Sequence, residues 1–409
     1  MSPFSPLSLP NGSTLPNRLA KAAMEENMAD EHHAPSDTLI RLYQRWAEGG
    51  AGLLITGNVM VDGHAMTGPG GVVLESAQHG ESFAAWSAAA RSRGAQVWMQ
   101  INHPGRQMPA ALGQTTMAPS ALAMELGSFS RQFAQPRAMT EADIAAVKAR
   151  FVASARLAER FGFNGVQIHA AHGYLLSQFL SPLSNQRTDR WGGSLENRAR
   201  LLLEIISAVR AATSSGFALA VKLNSADFQR GGFSADDASQ VVQWLNPLGV
   251  DLIELSGGSY EAPAMHGQTR DGRTLAREAY FLEFARDIST KARMPLMVTG
   301  GIRRLPVVEQ VLASGIAVAG MATALAVNPD LPQIWRSQPA ASAQLRPIGW
   351  RNKVLASVGY MAVVKYQLRR LSRGKTTRPD VAPALALLQQ QLGNGIQNLC
   401  YRRWAAARK

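Results

Sequence analysis

The chain is almost without cysteine. Cys400 is its sole thiol in 409 residues, which excludes an internal disulfide framework, a Cys-based zinc site and an iron–sulfur cluster held by its own thiolates. No apolar run approaches the roughly 20 residues of a membrane-spanning helix. The opening MSPFSPLSLPNGS has neither the basic nor the apolar segment of a signal peptide, so a cytoplasmic location is the expectation. Acidic residues are missing in one place only. From Gln344 to Lys409 there are thirteen Lys/Arg and one acidic residue, Asp380, whereas the remaining 343 residues balance 29 basic against 28 acidic. The formal charge of +13 therefore describes a tail and not a basic body. Nothing in that tail resembles a base-reading module, so nucleic acid is not an expected partner. It reads as a solvated, partly helical extension, with peripheral contact to an anionic surface as the alternative. Also missing is a G-x-G-x-x-G after the first strand, which argues against a doubly wound dinucleotide-binding sheet.

What is present is alternation. Short apolar runs, the pattern of strands buried on both faces, stand at 17–24, 52–56, 95–101, 165–168, 218–223, 250–255, 295–299 and 317–319. Helical stretches separate them at 36–48, 80–93, 140–161, 195–212, from 234, 276–291 and 306–313, with Ser36, Thr140 and Ser234 placed as N-caps. Hydrophobic content of 46% supplies a sizeable core. This predicts an α/β fold, an eight-stranded parallel (β/α)8 TIM barrel over 1–340. Asn11-Gly12 signals an N-terminal β-hairpin that covers one end as a lid. Residues 102–138, rich in Pro and Gly without a clean period, read as a lid insertion after strand three. Residues 341–409 read as the basic C-terminal extension, its apolar positions packing on the barrel or on a second subunit, so a homo-oligomer is compatible with them.

In such a barrel the chemistry sits in the loops that follow the strands. The stretch 166–198, VQIHAAHGYLLSQFLSPLSNQRTDRWGGSLENR, places His169, His172 and Tyr174 just after strand four. Two donors and a phenol at a strand end suit a site that grips a carbonyl oxygen and protonates carbon. A metal is not expected, because no third ligand lies near the histidine pair. Gln100 ends strand three with an amide suited to a pyrimidine-like edge, and Lys222 in strand five offers a fixed positive charge. The turns at Gly300-Gly301 and Gly320-Met321 present backbone N–H groups to an anion. Glu254 is given no role. His32, His33 and His64 fall in loops and read as surface residues. Arg187, Asp189, Arg190 and Arg198 read as ion-pairing locks on the loop after strand four.

Those residues carry a resemblance. HAAHGYLLSQFLSPLSNQRTDRWGGSLENR, with Leu15-Pro16-Asn17-Arg18, MQINHPGR at 99–106, PRAMT at 136–140, Val298-Thr299-Gly300-Gly301 and NPDLP at 328–332, is similar to the signatures of the Old Yellow Enzyme family of NAD(P)H:flavin oxidoreductases. The likeness spans about residues 3 to 335 and leaves the basic tail outside. It implies an FMN-containing barrel with NAD(P)H as electron donor. Ala23, Met24, Thr56 and Gln100 would line the flavin, Lys222 would sit by its N1/O2 side, and Gly301, Gly320 and Met321 would cradle the phosphate. His169 and His172 would bind the oxygen of an enone-type substrate, and Tyr174 would protonate its α-carbon. The alternatives are an FMN oxidoreductase that oxidises or demethylates a small donor such as an amine, or a degenerate flavin-binding barrel. Against the family pattern, Ala23 replaces a common Pro, Glu25 a Thr or Cys, Lys222 an Arg and Met321 an Arg. The last change removes a charged clamp on the phosphate; the Lys keeps charge but loses the planar fork.

Overall fold

A computed structural model describes residues 1–262 and 278–408. Eight parallel strands close into a barrel: β1 Leu19–Lys21, β2 Leu53–Ile55, β3 Gln96–Asn102, β4 Gly165–Ala170, β5 Ala218–Asn224, β6 Leu252–Ser256, β7 Leu296–Val298 and β8 Val318–Met321. Each pairs with the next, and β8 returns to β1 with Gly320 opposite Ala20. The alternation of strand side chains sorts two layers. Leu54, Val97, Met99, Ile168, Val221 and Ile253 face outward into the main core beneath the helices. Leu53, Trp98, Ala220, Leu252, Met297 and Val318 fill the interior, where Leu9 and Leu15 join them. Those two leucines come from the hairpin Leu7–Ser8/Thr14–Leu15, so the expected lid is an apolar plug on the barrel floor.

Four of the seven barrel helices begin at a side-chain cap: Ser36, Thr140, Ser194 and Ser234. The seven are α1 Asp37–Glu48, α2 Gly80–Arg91, α3 Glu141–Arg160, α4 Leu195–Ala212, α5 Ala235–Leu245, α6 Leu282–Ser289 and α7 Leu305–Ala313. Thr140 with Asp143 and Ser234 with Asp237 form reciprocal capping boxes that satisfy the first free backbone N–H groups. The helix expected from 276 starts only at Leu282; residues 276 and 277 lie outside the described residues. Strand β4 runs past its expected end at 168, because pairing with β5 continues through His169 opposite Lys222 and Ala170 opposite Leu223. The insertion is built of 3-10 turns and one short parallel pair, Thr116–Ala118 with Pro136–Ala138.

The extension forms two long helices, α8 Lys353–Leu371 and α9 Pro383–Ala406, packed on loops that follow β1, β2 and β3. Tyr401 Oη donates to Gly63 O (3.0 Å), Gln397 Nε2 to Asn27 O (3.2 Å) and Arg402 Nε to Ala111 O (2.9 Å). Tyr401 and Ala405 share a small apolar cluster with Met60, Met66, Val73, Met108 and Leu112. This corrects the surface reading of His33. It is buried under α9, its ring centroid 4.5 Å from that of Trp404 and its Nδ1 2.8 Å from Gly71 O. The loop after β4 is locked as expected: Arg187 holds Asp189 (Nε–Oδ1 3.0 Å) and Pro119 O (2.9 Å), and Arg198 reaches Gly193 O (3.2 Å).

Candidate active site

The carboxyl ends of the strands collect a polar layer above the apolar plug. Its geometry follows from register. On the inner faces Gln100 stands opposite Gln167, and Lys222 is flanked by His169 and Glu254. Gln100 Nε2 donates to Gln167 Oε1 at 2.7 Å, Gln167 Nε2 donates to Glu254 Oε2 at 2.8 Å, and Lys222 Nζ sits 2.8 Å from Glu254 Oε1. Four buried side chains from β3, β4, β5 and β6 thus form one continuous row. Lys222, expected as a fixed positive charge, is paired with Glu254, although nothing in that residue's strand-end position announced it. Thr56 Oγ1 accepts from the Gln100 N–H at 2.9 Å and ties β2 into the row.

Above the row stand His169, His172 and Tyr174. The His169 and His172 rings meet edge to face at 5.1 Å, and His169 meets Tyr174 at 4.9 Å. The turn that brings them together needs left-handed backbone at His172 (φ 61°) and Gly173 (φ 74°), a conformation cheap for Gly and uncommon for other residues. It is braced from three sides: the His172 N–H donates to Asn224 Oδ1 (3.1 Å), Gln107 Nε2 donates to His172 O (3.0 Å), and His172 Nε2 lies 2.7 Å from Ser256 Oγ.

Protonation follows from burial. Desolvation, with Lys222 nearby, holds the His169 imidazolium well below the ordinary histidine range. Its Nδ1 accepts the Ala171 N–H at 3.2 Å. A neutral imidazole that accepts at Nδ1 carries its proton at Nε2, so His169 is a donor at that atom. Burial, with Tyr260 and Glu25 nearby, pushes the Tyr174 phenol well above its usual range. Its hydroxyl is 2.9 Å from that of Tyr260, a second phenol in the loop after β6 that sequence reasoning missed.

The remaining expected residues divide. Ala23 packs with the interior cluster, while Met24 packs toward the outer core. Gly320 is on the inner face, where a Cβ would come within 2.4 Å of Met297 and Thr299 side-chain atoms. Gly300 (φ 115°) and Gly301 (φ 73°) need glycine's freedom, and the Tyr280 ring lies over Gly301. Met321 is fully buried, its side chain committed to the outer core. Asn102, on the same inward row as Trp98 and Gln100, is fully buried, and neither end of its amide has a hydrogen-bond partner among the described residues. Among the described residues no group of three His, Cys, Asp or Glu could hold a metal ion.

A parallel barrel whose mouth carries amides, a buried ion pair and protonated donors is the frame of a small-molecule enzyme. The chain belongs to the NADH:flavin oxidoreductase / NADH oxidase family, whose model matches residues 2–340. It is 37% identical over 350 residues to the NADH-dependent flavin oxidoreductase iliE of Hypocrea jecorina, covering 80% of this chain and 87% of that one. The iliE of Neonectria is 41% identical over 353 residues, with 80% of this chain but 46% of that protein covered. The old yellow enzyme homologue from Zymomonas mobilis superposes with a TM-score of 0.71 at 24% identity, over 84% of this chain and 94% of that one, and so shares the fold. The protein is thus an FMN-dependent oxidoreductase that draws electrons from NAD(P)H. The interior fits that cofactor: the amide row and the unpartnered Asn102 suit a polar heterocycle, and the glycine turn after β7, with Gly320 on the inner face of β8, suits a phosphate.

Proposed function

We propose that this enzyme reduces the activated C=C bond of α,β-unsaturated carbonyl compounds at the expense of NAD(P)H. The observation that carries the reading is the convergence of a neutral, Nε2-protonated His169 and a firmly protonated Tyr174, with ring centroids 4.9 Å apart, on one side of the barrel mouth. Ala23, Met24, Thr56 and Gln100 would line FMN, Lys222 would stand at its pyrimidine end, and the backbones of Gly301, Gly320 and Met321 would hold its phosphate. When bound, FMN supplies the hydride that carries the electrons of NAD(P)H to the alkene.

The chain's own part is acid chemistry. His169 Nε2–H, with the His172 ring, would bind the substrate carbonyl oxygen and stabilise the negative charge that grows there as the β-carbon gains hydride. The ring of His172 is fixed by Ser256, so the donor geometry is set before substrate arrives. Tyr174 Oη would then give its proton to the α-carbon. Its hydroxyl contact with Tyr260 orients the phenol and offers a route by which the proton is replaced.

The test separates the half-reactions. Tyr174→Phe should slow reoxidation of the reduced enzyme by 2-cyclohexenone about 100-fold, the lower range for loss of a general acid. Flavin reduction by NADH should change less than about twofold. Equal loss in both halves would count against the assigned role. The pH profile supplies a second check. With its phenol pushed far up, Tyr174 stays protonated across the neutral range, so enone-driven reoxidation should have no basic limb between pH 6 and 9.

A further inference from the structure

The basic extension enters the mouth of the barrel. On α8, Lys365 Nζ lies 3.1 Å from Glu25 Oε2 and also donates to Asn27 Oδ1. The other carboxylate oxygen of Glu25 accepts from Thr67 Oγ1 at 2.5 Å. Thr67 Oγ1 in turn accepts from Asn58 Nδ2 at 3.4 Å, and the Asn58 amide is close enough to act electrostatically on the Tyr174 phenol. Three hydrogen bonds thus run from an ammonium of the tail to Asn58, whose amide acts on the hydroxyl assigned as proton donor. Lys365 is 12% exposed and Glu25 26%, so the pair is shielded from solvent. Five residues earlier on the same helix, Tyr360 stands near Thr323, just beyond the end of β8, where the two helical segments pack together. One helix therefore spans from the end of β8 to the loop after β1.

We propose that Lys365 is a positioning residue of the active site: it holds Glu25 as a carboxylate against Thr67 and, through Asn58, fixes the orientation of the Tyr174 phenol. The inference rests on the ene-reductase reading for Tyr174. The groups that face Glu25 are Lys365 from α8, Thr67 from the loop after β2, Asn27 from its own loop, and the phenols of Tyr174 and Tyr260. Burial alone would push this carboxyl up; Lys365, Thr67 and Asn27 outweigh it and hold the group below its ordinary range. Without the ammonium, a carboxylate shut in beside two phenols would take up a proton, and the Thr67 hydroxyl would lose the anion that aims it.

The experiment uses the full chain loaded with FMN in four forms: wild type, Lys365→Met, Lys365→Arg and Lys365→Met/Glu25→Gln. Reduction by NADH and reoxidation by 2-cyclohexenone are followed separately from pH 6 to 9. Lys365→Met should slow reoxidation about tenfold and leave reduction within about twofold, a fraction of what a general acid supplies. Lys365→Arg should keep most of the rate. The double variant, whose neutral amide at position 25 can no more present an anion to Thr67 than a protonated Glu25 can, should stay about as slow as Lys365→Met. Thermal melts give a readout free of catalysis. In Lys365→Met the folded-state pKa of Glu25 would rise above its unfolded value, so this variant should lose stability relative to wild type as pH rises from 5 to 8, and Glu25→Gln should cancel that trend. Wild-type reoxidation in Lys365→Met, or a double variant restored to the wild-type rate, overturns the proposal. If wild type itself ignores the enone, the ene-reductase reading falls, and the Lys365–Glu25 pair stands or falls on the melting curves.

Discussion

Three histidines in this fold are kept neutral by burial, and that has a consequence for acid stability. His169 is held well below the ordinary range, His103 is lowered to about 4, and His33 is lowered too, in each case first by desolvation. A depressed folded-state pKa means that the unfolded chain binds the proton first. The stability from these groups is present above the unfolded value of about 6.5 and drains away as pH falls toward the folded one. Melting temperature should therefore drop steeply between pH 6.5 and 4, and His103→Gln should flatten part of the slope. A wild-type melting curve flat over that interval would sink the idea. Only part of this residue-level picture was legible beforehand. His169, Tyr174, Gln100 and Lys222 could be picked out because strand ends of a barrel point at one mouth. Gln167, Glu254, Tyr260 and Ser256 could not, because their meaning lies in register. A glutamate at the end of one strand says nothing until pairing sets it 2.8 Å from a lysine of the next.

Elements were the easiest scale to read. Capping chemistry is local, so Ser36, Thr140 and Ser234 announced their helices; Thr140→Ala should cost about 1 kcal/mol in urea unfolding, as loss of a helix cap does. Strand ends were harder to place, since hydrogen bonding to a neighbour and not local apolarity decides where β4 stops. What the pattern hid is the charge between β1 and α1. Lys21 is completely buried, with its Nζ 3.3 Å from Glu26, 3.0 Å from the Tyr43 hydroxyl and 2.8 Å from Ile55 O, and it lies over the Trp46 ring at 4.4 Å. Burial lowers its pKa to about 8 against the pull of Glu26. Breaking such a pair from one side strands the other charge. Lys21→Met should destabilise by about 3–5 kcal/mol, whereas Lys21→Met/Glu26→Gln should recover a large share of that loss. Chemical denaturation of both variants checks it, and equal losses would show that the partner is not the cause.

At the scale of the molecule, the hairpin leucines close one end of the barrel and the extension crosses the loops of the other. Composition marked the tail as basic and helical but could not say where it docks, because docking depends on small residues far away in the chain. Gly63 is one: a Cβ there would come within 2.5 Å of the Trp404 ring. Gly63→Val should push α9 outward. Trypsin should then cut at Arg402 and Arg403 several times faster than in wild type, while the barrel's own melting transition stays in place. An unchanged cleavage rate would mean that α9 is held by contacts elsewhere. The extension also makes Cys400 informative. This single thiol is exposed on α9 one turn before Trp404, whose ring is tucked against His33. A dye attached there would be dimmed by the indole to a degree set by how α9 rests on the barrel, so any shift of α9 could be watched by fluorescence in an otherwise unmodified enzyme.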